Sequence, residues 1–411
     1  MHPDGIPVLY TADRLLHTDP VRTIAAGGVL ARGGVIEWVG PMPEFDPGAH
    51  PGPLAREDLG DLTLMPGLID AHVHLGFDGG ADPVGRMTSE SDVQQVILML
   101  ASARELLEAG VTTARDLGAR GYLDVAVRRA VDEGTAEGPR LLTAGAPLTV
   151  TGGHCWFMGG EVDDEDGARR MVRQHHKMGV DLIKVMSTGG YMTSGSTPWR
   201  AQFTARQLRA VVEEAHHLGK RVAAHCHGID GIRQALAAGV DTLEHCSFMC
   251  ADGSTEVDPE LVAAIAASPV YVSPTMNSDV RTAMASGTWV SPVGELHRRG
   301  ARIIASTDAG VGHTSHRDYA AALEALEEAG MPIDAVLAAA TSRAAEALGL
   351  DAVTGRLVAG LSADLIAVPG DPASDLRVLR SPRLVVARGR RLVPRPRALS
   401  HVEPSLTGLR A

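Results

Sequence analysis

Two histidines spaced two apart stand in DAHVHLG, His72 and His74. In an extended strand such residues point to the same side, so the pair presents two imidazoles to one metal ion. The spacing recurs in VAAHCHG as His225 and His227, a further histidine stands in DTLEHC as His245, and RIIASTDAG supplies a carboxylate, Asp308. Imidazole nitrogen and carboxylate oxygen are the donors that a borderline-soft divalent ion such as zinc prefers. One HxH pair says little in a chain with 17 histidines. The recurrence of such donors at the ends of four strand-like segments carries the inference.

A lysine adds to it. Of the 38 basic residues only Lys177, Lys184 and Lys220 are lysine. Lys177 and Lys220 stand in polar helix ends, whereas Lys184 stands in DLIKVMSTGG, an apolar strand. A bare ammonium is expensive to bury there, and burial favours the neutral amine. A neutral amine can add carbon dioxide, and the two oxygens of the carbamate can bridge two metals about 3.5–4 Å apart. Arginine, always protonated, cannot do this. The competing reading pairs Lys184 with Asp181 or Asp116.

These groups need a frame that brings strand ends together. Eight segments read as strands: LIDAHVHL, VTTARDLG, PRLLTAG, LIKVMSTG, RVAAHCHG, DTLEHCS, YVSPTM and RIIASTDAG. Alanine-rich helical stretches such as SDVQQVILMLASARELLEAG alternate with them. The expected fold class is α/β, a (β/α)8 TIM barrel over 65–350, with catalytic groups at the C-terminal ends of its strands. Short apolar runs separated by glycine and proline occupy both chain ends, and predict a small discontinuous β-sandwich built from 1–64 and 351–411.

Composition narrows the function. The 411 residues are 45% apolar and 21% charged, as in a core-forming globular protein. A net charge of -12 repels phosphate backbones and anionic lipid heads, so neither nucleic acid nor a membrane is the expected partner. No apolar run approaches the ~18–20 residues of a membrane span, and MHPDGIPVLY lacks the features of a signal peptide, so a cytoplasmic location is expected. The four cysteines form no CxxC pair, and no disulfide is expected.

Taken together, PGLIDAHVHL, GVTTARDLG, IKVMSTGG, VAAHCHG, AGVDTLEHC, STDAG, AATSRAAEALGL and GLSADLIAV resemble the amidohydrolase superfamily, and within it the imidazolonepropionase-like and prolidase-like branch of metal-dependent peptidases. The resemblance runs nearly end to end. It implies a binuclear site holding two divalent ions, zinc being the expected metal. His72, His74 and Asp308 would bind the more buried ion, His225 and His245 the more exposed one, and carboxylated Lys184 would bridge them, with a hydroxide between. The resemblance selects His225 over His227, which spacing alone cannot separate. It also makes Asp308 the general base and then acid, taking a proton from the hydroxide and passing it to the leaving nitrogen.

Residues for the substrate are drawn more thinly. Tyr191 in TGGYMTSGS is a candidate donor to the developing oxyanion. His154, with Trp156 and Phe157 in TGGHCWFMGG, is a candidate pocket wall, and His313 and His316 stand in a loop after the eighth strand. His227, Arg200 and Arg115 are candidate anchors for a substrate carboxylate. The expected reaction is cleavage of the C–N amide bond of a peptide or N-acyl amino acid, with a small molecule or peptide as partner and room for a homo-oligomer. The alternatives are a tailoring amidohydrolase that trims a modified peptide and a mononuclear deaminase or cyclic-amide hydrolase. A scaffold without chemistry is disfavoured, because every expected ligand position is filled.

Overall fold

The computed structural model describes residues 6–392, so the outermost parts of the two terminal β segments, 1–5 and 393–411, lie outside the described residues. All eight expected strands form, and all are parallel. They are Leu68–Val73, Val111–Asp116, Arg140–Thr143, Leu182–Met186, Arg221–Gly228, Thr242–Met249, Tyr271–Ser273 and Arg302–Ile303. Their residues are buried almost throughout, as strands covered on both faces must be.

The pairing departs from one closed barrel ladder. The first three strands make a three-stranded sheet and the other five a second sheet. The sheets meet at isolated bridges, Leu148 with Val185 and Val73 with Ala309. The physical reasons are local. The third strand is only 4 residues long and is followed by Pro147, which has no N–H to give. The eighth strand has only 2 residues, and Ile69 N donates to Ala340 O instead of to it. Two bonds nonetheless fix the second seam where the chemistry collects: Asp308 N donates to His72 O at 2.8 Å, and His74 N to Ala309 O at 2.8 Å.

The chain ends also differ in detail from the expectation. Their strands pair into one continuous hydrogen-bonded sheet of eight strands, of mixed rather than purely antiparallel direction. Val8–Thr18 runs antiparallel to Val21–Arg32 but parallel to both Ala55–Asp58 and Leu62–Pro66, which share its other edge. Leu365–Pro369 pairs antiparallel with Leu62–Pro66, which joins the two ends of the chain. Apolar clusters form around Leu9, Leu30 and Phe45, and around Tyr10, Leu15, Val29, Leu365 and Val386.

Helices clamp the parallel sheets. Asp92–Glu108 and Ala205–His217 each begin with a reciprocal capping box, Ser91 with Gln94 and Thr204 with Gln207. The second helix turns Leu208, Val211 and Ala215 inward, into the cluster that holds Ile183, Val185, Val222 and Ala224. Each leucine, valine or isoleucine among them contributes about 1.5–3 kcal/mol by leaving water, which helps hold the strand ends in place.

Candidate metal centre

At the C-terminal ends of these strands the backbone is strained. His245, Cys246, Phe248, Thr275 and Asp308 all have positive φ, a conformation that costs a branched or bulky residue energy and clusters at functional sites. The consequence is visible at the sixth strand, where strict alternation would send Glu244 and His245 to opposite sides. Instead Glu244 reaches His72, while the His245 ring lies 4.4 Å from those of both His225 and His227.

The hydrogen bonds decide where several ring protons sit. His72 Nδ1 lies 2.9 Å from Glu244 Oε2, and a carboxylate only accepts, so Nδ1 carries a proton and Nε2 is the nitrogen left to meet a cation. Nε2 faces Asp308 Oδ1 at 3.2 Å, and His74 Nε2 lies 3.2 Å from the same oxygen. Ring nitrogens and a carboxylate aimed at each other need a cation between them, a proton or a metal ion. His225 Nε2 donates to Gly189 O at 2.9 Å, leaving Nδ1 free to ligate. His245 Nδ1 lies 2.8 Å from Thr275 Oγ1, and its Nε2 is buried with no partner. His227 Nδ1 lies 2.6 Å from Ser247 Oγ.

Two groups among the described residues have ligand atoms close enough to hold a metal: His225, His227 and His245, and His72, His245 and Asp308. Lys184 is close enough to both to interact electrostatically with His225, His245 and Asp308. Its Nζ is buried and has no hydrogen-bond partner, and burial lowers its pKa, although the Glu244 and Asp308 carboxylates pull the other way. The alternative pairing with Asp181 or Asp116 is not formed. Asp181 is engaged by Arg128 and by the backbone N–H of Thr143, while Asp116 accepts from Leu75 N and Gly118 N. These unpartnered nitrogens and facing acceptors fit divalent cations and a modified lysine.

The electrostatics follow the same division. Burial lowers the pKa of His225 and His245, and the neighbouring imidazoles add to it, so both rings are neutral near neutral pH, the form able to bind a metal. Burial raises the carboxyl of Asp308, but His72 and His74 outweigh it and hold it well below the usual carboxylate range. Below the ligands, burial pushes Asp70 up to about 7, against the hydrogen bonds it accepts from Thr307 and His72 N. Those bonds tie the first strand to the segment that carries Asp308.

The remaining expected residues divide. His154 is brought in: its ring lies 4.7 Å from His225, its Nδ1 lies 3.1 Å from Thr193 Oγ1, and burial lowers its pKa to about 3. Tyr191 packs its ring 5.5 Å from His227 and donates its hydroxyl to Met249 Sδ at 3.5 Å, with 71% of its surface exposed. Arg200 and His313 are exposed, and among the described residues no hydrogen bond or ring contact joins either to the histidines. His316 is buried and its Nε2 lies 3.1 Å from His74 O, a supporting contact. Arg115 is not available as a substrate anchor, because it is buried and paired with Glu244 at 2.8 Å. Glu244, Thr275 and Ser247 escape the reading of the sequence. The signal for Glu244 was its place next to His245 in LEHC.

Comparison with known proteins identifies the family. The model of the amidohydrolase family matches residues 63–392. Ochratoxinase of Aspergillus niger is 31% identical over 364 residues, spanning 79% of this chain and 73% of that protein. Imidazolonepropionase of Paracidovorax citrulli is 22% identical over 390 residues, spanning 88% and 90%. The crystal structure of a Xaa-Pro dipeptidase with bound methionine in the active site matches with a TM-score of 0.83 at 27% identity, spanning 94% of this chain and 99% of that one. The chain is a member of the amidohydrolase family and a hydrolase acting on carbon–nitrogen bonds.

Proposed function

We propose that this protein cleaves the C–N amide bond of a peptide or N-acyl amino acid at a site that holds two divalent metal ions, zinc in the first instance. The observation that carries the reading is the buried, unpartnered Lys184 amine together with the Nε2 atoms of His72 and His74, both 3.2 Å from one oxygen of Asp308. His72, His74 and Asp308 would hold one ion, His225 and His245 the other, and Lys184 as a carbamate would be shared. In this reading the domain over 65–350, with its eight parallel strands, forms the barrel that carries the site, and the terminal sheet, made by described strands of the domain 1–64 and 351–411, braces it.

Bound metal would lower the pKa of the attacking water and polarise the scissile carbonyl. The chain's own residues do the rest. Asp308 accepts the water's proton and passes it to the leaving nitrogen, which departs poorly as an anion. Tyr191, on the loop beside His227, donates its hydroxyl to the developing oxyanion. His154 and His227 border the space next to His225 and read the substrate flanking the bond. Peptide chemistry is favoured by the likeness to the Xaa-Pro dipeptidase. The filled lysine position favours two metals over a mononuclear deaminase or cyclic-amide hydrolase.

The two histidines of the fifth strand separate by experiment. His225→Ala is expected to lower metal content and abolish turnover, because Nδ1 is the nitrogen its bond to Gly189 leaves free. His227→Ala is expected to keep the metals and raise KM. Metal analysis of both purified variants checks this, and the opposite pattern would reassign the ligand. The function itself is tested by following amine release from a set of dipeptides and N-acyl amino acids, as free acids and as amides, with zinc or manganese supplied. Release from free acids in preference to amides is expected. Equal rates would favour a tailoring enzyme acting within a modified peptide, and no release from any member would contradict the reading.

A further inference from the structure

Beneath the histidines runs a hydrogen-bonded chain that reaches no solvent. Arg115 Nε donates to Ala71 O at 2.6 Å, Nη1 to Thr242 Oγ1 at 3.1 Å and Nη2 to Glu244 Oε1 at 2.8 Å. Thr242 Oγ1 donates to the same Glu244 oxygen. The other oxygen, Oε2, takes His72 Nδ1 at 2.9 Å. Relative exposure is 2% for Arg115, 1% for Thr242, 0% for Glu244 and 1% for His72. The two oxygens of one carboxylate are thus divided between an anchored cation and an imidazole.

We propose that Glu244 is a positioning residue for His72, aimed by Arg115 and Thr242, and that this chain sets the affinity of the site for metal. The proposal rests on the metal-binding reading above. A free imidazole exchanges between two tautomers and turns about its side-chain bonds. A carboxylate fixed at Nδ1 permits only the tautomer with its lone pair on Nε2, pins the ring plane, and makes Nε2 more basic. Glu244 could not do this alone, since a buried carboxylate without a counter-charge is strongly disfavoured. Arg115 supplies that charge from a fixed direction, because its other two donors are already held by the first and sixth strands. An ion pair serving only to staple strands has no need of the bond to His72.

The test uses the full chain stripped of metal and titrated with zinc against a chelating dye. Glu244→Gln keeps the size and an acceptor but loses the charge, and is expected to weaken zinc binding by about 10–100-fold. Its kcat is expected to return toward the wild-type value when zinc is supplied in excess, because affinity rather than chemistry is lost. Glu244→Asp keeps the charge beside Arg115 but falls short of His72, and is expected to bind zinc more weakly too. It decides the matter if the glutamine variant does not fold, as judged by thermal unfolding of the metal-free protein. A folded variant whose zinc affinity stays within about twofold of wild type would overturn the proposal, given the loss that such partners normally carry. A wild-type protein that binds no zinc would instead overturn the metal-binding reading on which the proposal stands.

Discussion

Replacing Lys184 by arginine is expected to leave the protein folded and to cut kcat by about 10²–10⁴-fold or more, the range for losing a group that acts in the transition state. Lys184 is 1% exposed and its amine has no hydrogen-bond partner. Its pKa is lowered by that burial, which favours the neutral form able to add carbon dioxide. Arginine keeps its charge and offers no nucleophilic nitrogen, so it would pair with the neighbouring carboxylates and fill the place of the shared ligand. Lys184→Met separates chemistry from stability. It removes an unsatisfied buried amine, so its thermal stability without metal is expected to equal or exceed that of wild type, while turnover is lost. Wild-type turnover in either variant would remove the carbamate from the account.

Asp308→Asn is the second substitution with a large expected effect. Asp308 sits at φ 64°, a left-handed conformation that asparagine also tolerates, so the exchange leaves the backbone unstrained. The amide cannot take up a proton, and the loss in kcat is expected to exceed the ~10²–10⁴-fold of acid–base effects alone, because a ligand is weakened as well. The new NH₂ group can donate to Nε2 of His72 or His74, each 3.2 Å from Oδ1, in place of the contact that the carboxylate makes with them. The variant is therefore expected to stay folded without metal, as checked by thermal unfolding, while its turnover nearly vanishes. A variant that retains turnover with an unchanged pH profile would assign the proton transfer to another group.

Much of this arrangement was legible in the residues themselves. All eight strands could be placed because each is a short apolar run bounded by turn residues, and the twofold alternation of a strand puts His72 with His74 and His225 with His227 on common faces. Lys184 stood out through the scarcity of lysine. What the alternation hides is Glu244. It adjoins His245, and only the positive φ at His245 and Cys246 turns both residues to useful positions. Arg115 illustrates the opposite limit: its side chain could be read as a substrate anchor or as a support, and only the distance to Glu244 shows it committed to support. The break between the two parallel sheets likewise depends on Pro147 and on a third strand of 4 residues and an eighth of 2, too short for periodicity to describe. The loops with Tyr191, Arg200 and His313 carry no periodicity, so which of them faces the histidines was settled by folding rather than by spacing.

The central claim is that two divalent ions share one lysine-bridged site. Elemental analysis of the purified protein, after reconstitution with zinc and bicarbonate and removal of loosely held metal, tests it most directly. Two equivalents of zinc per chain are expected in wild type, with the pair lost in Lys184→Arg. One equivalent that is indifferent to that substitution, or no bound metal in a well-folded sample, would contradict the claim.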